Sequence, residues 1–115
     1  MRDRLISEGL DNFTHNKRVG QTKKLPDFLF DGETKVILEV DEFSHRGYDK
    51  QKEIQRMIEI SKSICSKLIF IRISMPCDES VVKRCIDLVR SAVTSGECEE
   101  DSSISIYRMF LGQFL

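Results

Sequence analysis

Residues 25–45 read LPDFLFDGETKVILEVDEFSH, and the order of apolar and turn residues in this stretch decides the fold. DFLF (27–30) is short and apolar, and it stops at Asp31-Gly32, a pair that favours a tight turn. KVILEVD (35–41) is rich in β-branched residues, which pack well on a pleated surface. The two runs read as a hairpin joined through DGET, and the second is apolar enough to be a central strand.

Upstream, residues 2–11 read as a helix with Leu5, Ile6 and Leu10 on one side. FTHNKRV (13–19) alternates loosely, as a strand does, and GQTKK follows as a basic loop. Downstream, EFSHRGYD is a loop broken by Gly47. A helix is expected over 49–66, with Ile54, Met57, Ile58, Ser61, Ile64 and Cys65 on one face and Asp49 as N-cap. LIFIRIS (68–74) is a near-continuous apolar run, the signature of a buried strand. Glu79–Ala92 is a second amphipathic helix with Val82, Cys85, Ile86 and Val89 inward. SGECEEDSS is an acidic turn, and SISIYRMFL (103–111) is the last strand. The order α-β-β-β-α-β-α-β implies an α/β (α+β) domain, a mixed sheet flanked by helices. The helix over 49–66 is a crossover that places strand 68–74 parallel to strand 35–41.

A chain of 115 residues is enough for one domain, taken as 1–115, and 40% apolar residues supply its core. The net charge of −1 argues against binding nucleic acid by bulk charge alone, although local charge at a groove matters more than the sum. MRDRLISEGLD lacks the apolar run of a signal peptide, and no stretch is long enough to span a bilayer. The expectation is an intracellular protein, in cytoplasm or nucleus, with no membrane partner. Cys65, Cys77, Cys85 and Cys98 form no CxxC pair, so they read as reduced thiols, some of them buried, and not as a zinc site.

Chemistry concentrates in the opening stretch. Glu39 and Asp41 are two apart on a strand and point to the same side. Pairing through DGET brings Asp27 near Glu39, and His45 follows within one loop. Same-side carboxylates repel unless a cation or proton lies between them, and burying them bare is costly. Mg²⁺ (or Mn²⁺) takes oxygen ligands and keeps several waters, so Asp27, Glu39 and Asp41 suffice as metal ligands. His45 has a pKa suited to accepting a proton. Taken singly, each of these residues is a common turn, strand-end or surface residue; the combination is what points to a site. Glu53 and Arg56, three apart on a helix, are close enough to pair. Arg72 interrupts an apolar strand and must face something charged: Glu53, Asp41 or DNA. Lys17, Arg18, Lys23 and Lys24, with Arg46, Lys50 and Lys52, either line a groove or form a solvated surface. Phe13 and His15 are candidates for stacking on bases, though single aromatics beside a strand are more often core.

Pro26-Asp27 followed by Glu39-Val40-Asp41 resembles the PD-(D/E)XK, or restriction-endonuclease-like, nuclease superfamily. Asp41 stands where the signature ends in lysine, and it cannot supply that charge. The pattern is more similar to relatives of the very-short-patch mismatch-repair endonuclease, also found in large DNA viruses and in bacterial domains. These carry PDF, then E-x-D-x-x-x-H, then a helix with Glu and Arg, then a strand like F-I-R-F-N-P-D. Here the residues are Pro26-Asp27-Phe28, Glu39 to His45, Tyr48, Glu53, Arg56 and Phe70-Ile71-Arg72-Ile73-Ser74-Met75-Pro76, with the Asn-Pro-Asp degraded. The resemblance covers about residues 8–78. It implies a restriction-endonuclease-like core and Mg²⁺- or Mn²⁺-dependent hydrolysis of DNA phosphodiesters. It implies Asp27 as central metal ligand, Glu39 as second acid, and Asp41 as a ligand or water-orienting group. His45 would be general acid or base, and Glu8 an acid contributed from the first helix. Arg56, Arg72, Lys17, Arg18, Lys23, Lys24, Arg46 and Lys50 would contact DNA.

So short a chain is expected to act as a homodimer, on DNA structure, or with a partner protein. A nuclease fold that has lost catalysis and binds DNA or protein is the alternative, and a metal-free interaction subunit is a third. Asp27→Ala and Glu39→Ala are expected to abolish cleavage without disturbing the fold. His45→Ala should slow plasmid cleavage on the order of 10²-fold or more if it moves the proton; an unchanged rate removes it from the chemistry.

Overall fold

A computed structural model describes residues 1–15, 27–42 and 50–115. Helix α1 spans Arg2–Ser7, and strands β1 (Phe13–His15), β2 (Phe28–Phe30) and β3 (Lys35–Glu42) follow. Helix α2 (Lys50–Ser63) leads to β4 (Leu68–Met75), and α3 (Glu79–Ser95) leads to β5 (Ser105–Phe110) and β6 (Gln113–Phe114). The six strands form one mixed sheet in the order β1-β2-β3-β4-β5-β6. β3 and β4 pair in parallel and every other neighbouring pair is antiparallel, as the crossover through α2 requires. The architecture is α+β, a mixed sheet flanked by helices.

Period-two alternation divides the core. Val36 and Leu38 of β3, with Ile69, Ile71 and Ile73 of β4, pack with Leu5 of α1 and with Val82, Cys85, Ile86 and Val89 of α3. Ile37, Leu68, Phe70 and Met109 face the other way, onto Met57 and Ile60 of α2 and Ile64 just after it. Both faces of the parallel pair are thus covered, which explains why 35–41 and 68–74 are so apolar.

Several boundaries differ from the sequence expectation: α2 ends at Ser63, short of residue 66, and three other changes each involve a glycine. α1 stops at Ser7 instead of running to residue 11, because Gly9 adopts φ 79°. The N–H of Gly9 donates to Ile6 O and that of Leu10 to Leu5 O, a Schellman ending whose two apolar residues, Leu5 and Leu10, are both buried. α3 continues to Ser95, three residues further than its apolar period suggests, and Gly96 at φ 76° ends it. The expected strand 103–111 starts at Ser105, and the chain then folds back at Leu111-Gly112 to make β6. Both turn residues have positive φ, the geometry of a two-residue hairpin loop. The N–H of Gly112 donates to Ser61 Oγ at 2.9 Å, and a Cβ at Gly112 would lie 2.7 Å from the Lys62 side chain, so the turn is seated on α2.

The thiols of Cys65, Cys77, Cys85 and Cys98 are unpaired, and Cys85 and Cys98 are buried. Burial, with smaller contributions from Cys77 and Asp101, pushes the Cys85 thiol up to about 12. Among the described residues no helix is long and apolar enough to cross a membrane. Phe70 is fully buried at the centre of the α2 face. Phe70→Ala should cost about 3–5 kcal/mol in urea denaturation, whereas Phe114→Ala, at a half-exposed edge, should stay within about 1 kcal/mol.

Candidate active site

On the α2 face the strands change character along their length. β3 presents Ile37, then Glu39 and Asp41; β4 presents Leu68 and Phe70, then Arg72. Glu39 pairs with Arg72 in the β3–β4 register, so the charged positions lie level at the carboxyl ends of the two parallel strands. That end of an open sheet is where ligands of α/β proteins usually bind. Glu53 falls on the same i, i+4, i+7 stripe of α2 as Met57 and Ile60, and Arg56 lies beside it. The apolar seam of α2 therefore runs into the ionic cluster without a break.

The cluster is closely connected. Glu39 is 5% exposed, and Arg56 Nη1 donates to its Oε1 at 2.5 Å. Arg72 is 6% exposed; its Nε and Nη2 donate to both oxygens of Asp41, at 3.1 and 2.9 Å. Arg72 Nη2 also donates to Glu53 Oε1 at 3.1 Å, and Arg56 Nη1 lies 3.9 Å from Glu53 Oε2. Glu53 thus sits between the two guanidiniums. Arg72 Nη1 is buried and donates to no acceptor among the described residues. Asp27, one residue before β2, accepts from the Val40 N–H through Oδ2 at 2.7 Å.

Burial pushes the Glu39 pKa upward; Arg56 opposes the shift through charge and hydrogen bonding, and nearby Asp27 adds to it. Burial works against the Arg72 charge, but Asp41 and then Glu53 outweigh it and hold the guanidinium above its ordinary value.

The structure brings Asp27, Glu39 and Asp41 to the same end of the sheet, but it gives Glu39 and Asp41 to arginines. Among the described residues no three His, Cys, Asp or Glu side chains converge on a common point. The donors themselves are hard oxygens of the kind Mg²⁺ and Mn²⁺ accept; it is their arrangement that is not closed on an ion. Arg72, with three partners open in the sequence, bonds to both protein candidates, Asp41 and Glu53. Arg56, expected to pair with Glu53, makes its closer contact with Glu39. Neither arginine is spread along a surface groove. Lys50 opens α2 and is exposed. Lys17, Arg18, Lys23, Lys24, His45 and Arg46 lie outside the described residues.

Glu8 is in the other layer. It caps α1, accepts from Arg4 at 3.3 Å and pairs with Arg90 of α3 at 3.3 Å. The α1–α3 layer covers the face opposite to α2, so Glu8 is not gathered with the three carboxylates. Phe13 and His15 pack within the sheet: His15 stacks on Phe28 with centroids 4.6 Å apart, and Phe13 meets Phe28 and Phe30 edge-on.

The acids also have a structural role that the sequence did not disclose. Glu39→Ala removes a close carboxylate partner of Arg56 while Glu53 stays 3.9 Å away, so some loss of stability is expected where the sequence reading expected an undisturbed fold. Comparison with known families, with curated proteins and with solved structures returns no match for this chain.

The raised Glu39 pKa has a definite sign in stability. Between the unfolded glutamate value of about 4.3 and the higher folded value, the folded state holds the proton more tightly. Glu39 therefore favours folding below that window, and its contribution is lost as pH rises through the folded pKa. Urea titrations across acid pH should show a falling component of stability that Glu39→Gln removes. An identical slope in the variant refutes the assignment.

Proposed function

We propose that the protein is a metal-dependent DNA endonuclease with a restriction-endonuclease-like core, hydrolysing phosphodiesters with Mg²⁺ or Mn²⁺. The observation that carries this reading is the charge balance at the carboxyl ends of β3 and β4. Among the described residues, Glu39, Asp41 and Glu53 share two guanidiniums, Arg56 and Arg72, and Asp27 is held beside them by the Val40 N–H, so the acids counted there outnumber the arginines. A divalent ion cancels that surplus. The sequence resemblance points to the same acids: Asp27 of the PDF motif, then Glu39 and Asp41 two apart.

A hard divalent ion in such a site polarises the phosphate and activates water. The chain's own contribution is positional. Asp27 is held by the Val40 backbone, so its carboxylate stays beside Glu39. Arg72, tied to Asp41, fixes a positive charge on the neighbouring strand, opposite Glu39. A fixed positive charge of this kind would favour negative charge developing on a nearby phosphate. His45 follows β3 by three residues and is the candidate for moving a proton. DNA is the proposed partner, with a second copy or another protein extending the small contact surface.

One observation favours a second reading, a nuclease-fold module that binds DNA or protein without catalysis. Arg56 and Arg72 already compensate Glu39 and Asp41 without a metal.

Asp27→Asn decides between them, because the amide oxygen still accepts from Val40 while the charge is lost. With Mn²⁺ the wild type should nick or linearise plasmid, and Asp27→Asn should lose at least about 10²-fold in rate with unchanged circular dichroism. No cleavage by folded wild type with any divalent metal selects the second reading.

A further inference from the structure

We propose that the β6 edge of the sheet is a dimer interface, taken by β6 of a second copy of this chain in antiparallel pairing about a two-fold axis at Phe114. Such a dimer would supply the second copy invoked above, and its formation does not depend on catalysis.

The backbone at this edge is self-complementary. Leu111 and Gly112 join β5 to β6, with Phe110 opposite Gln113 and Met109 opposite Phe114. The Leu115 N–H donates to Arg108 O at 2.8 Å. In an antiparallel ladder, residue pairs that exchange hydrogen bonds alternate with pairs that do not. Arg108 and Leu115 are a bonded pair, so Met109 and Phe114 are not, and the N–H and C=O of Phe114 point away from β5, off the edge of the sheet. Among the described residues no strand lies beyond β6. A second copy related by a two-fold axis at this residue gives one hydrogen bond and receives one. It also brings the two Phe114 side chains together on one face, with Cα atoms about 5.5 Å apart.

The side chains leave the edge unguarded. Sheets protect an open edge with charge or proline, and residues 109–115, MFLGQFL, contain neither. Arg108, the nearest cation in the sequence, is committed to Glu100 and to the Cys98 carbonyl. Of the five exposed large apolar side chains among the described residues, four lie in or just after this hairpin: Phe110 at 40%, Leu111 and Phe114 at 47%, and Leu115 at 73%. Phe114 is on the α2 face with Met109, where Tyr107 packs against its ring at 6.1 Å, and Phe110 points to the opposite face. Apolar groups on both sides of one edge suit a sheet that continues into a neighbour better than a face that stacks on one.

The area fits a dimer. With a large side chain presenting roughly 150–250 Å², these four expose about 400 Å² of apolar surface per copy. Interfaces of about 600–800 Å² per partner are close to 60% apolar and need about 350–500 Å² of it from each side. The turn is already seated on Ser61 and Lys62 of α2, so little order is lost on pairing. An affinity on the order of micromolar is expected for an interface of this size.

Sedimentation equilibrium of the full chain from about 1 to 100 µM, under reducing conditions, tests the interface. Wild type should pass from monomer to dimer across that range. Phe114→Glu sets two carboxylates against each other at the axis and should stay monomeric. Ile6→Glu, at a similarly exposed apolar position on α1, should dimerise as wild type does. A monomeric wild type, a Phe114→Glu chain that dimerises like wild type, an Ile6→Glu chain that does not, or assembly that runs past the dimer overturns the pairing. If Phe114→Glu does not fold by circular dichroism, Phe114→Cys decides, because the Cα spacing at the axis suits a disulfide. Under mild oxidation it should link two copies, and a yield no greater than that of Ile6→Cys overturns the pairing.

Discussion

Arg72 is a guanidinium set in the middle of an apolar strand, and much of the α2 face is arranged around it. Left bare in that position, a charge would make the strand untenable. Asp41 reaches it from β3 and Glu53 from α2, so one side chain ties two strands and a helix together. Because these bonds are directional, they fix the rotation of α2 as well as its distance from the sheet. Ion pairs of this kind seldom add much net stability over an apolar replacement, but breaking them is costly. Their contribution here is to define a single placement of α2.

The cluster rests on a continuous apolar support. On the opposite face, Val36 and Leu38 of β3 and Ile69, Ile71 and Ile73 of β4 stay apolar as far as the charged end. On the α2 face, Ile37, Leu68 and Phe70 fill the space directly beneath Glu39 and Arg72. Side chains built on paired strands and packed this way hold their positions better than side chains on loops. The β5–β6 turn adds support from the side through Ser61, so α2 is held at both of its ends.

The functional reading turns on how the two arginines share four acids. Arg72 has both Asp41 oxygens and is buried with them. Arg56 is held between Glu39 and Glu53 at unequal distances. A cluster fully neutralised by fixed arginines would be a structural element and little else. Among the described residues the acids outnumber the arginines, and it is on this imbalance that the metal-dependent reading rests.

The strands and helices were legible in the sequence because each is written in local periodicity. The β-branched run of 35–41, the apolar run of 68–74 and the helical stripes over 49–66 and 79–92 led to the mixed sheet and its parallel central pair. The same-side placement of Glu39 and Asp41 follows from the two-residue period of a strand and needed no structure. Gly9 and Gly96 were also readable as helix stops; the periodicity was followed past the first and broken off three residues short of the helix end that the second sets. The pairings were a different matter. Which of Glu39, Asp41 and Glu53 each arginine binds depends on the rotation of α2 over the sheet, and no local pattern encodes it. Glu8, which caps the first helix, was carried into the α1–α3 layer by the burial of Leu5 and Leu10. Sequence alone determined which residues carry charge and on which side of their own element they lie. Only the tertiary structure decided who neutralises whom, because electrostatic partners are set by distances between elements far apart in the chain.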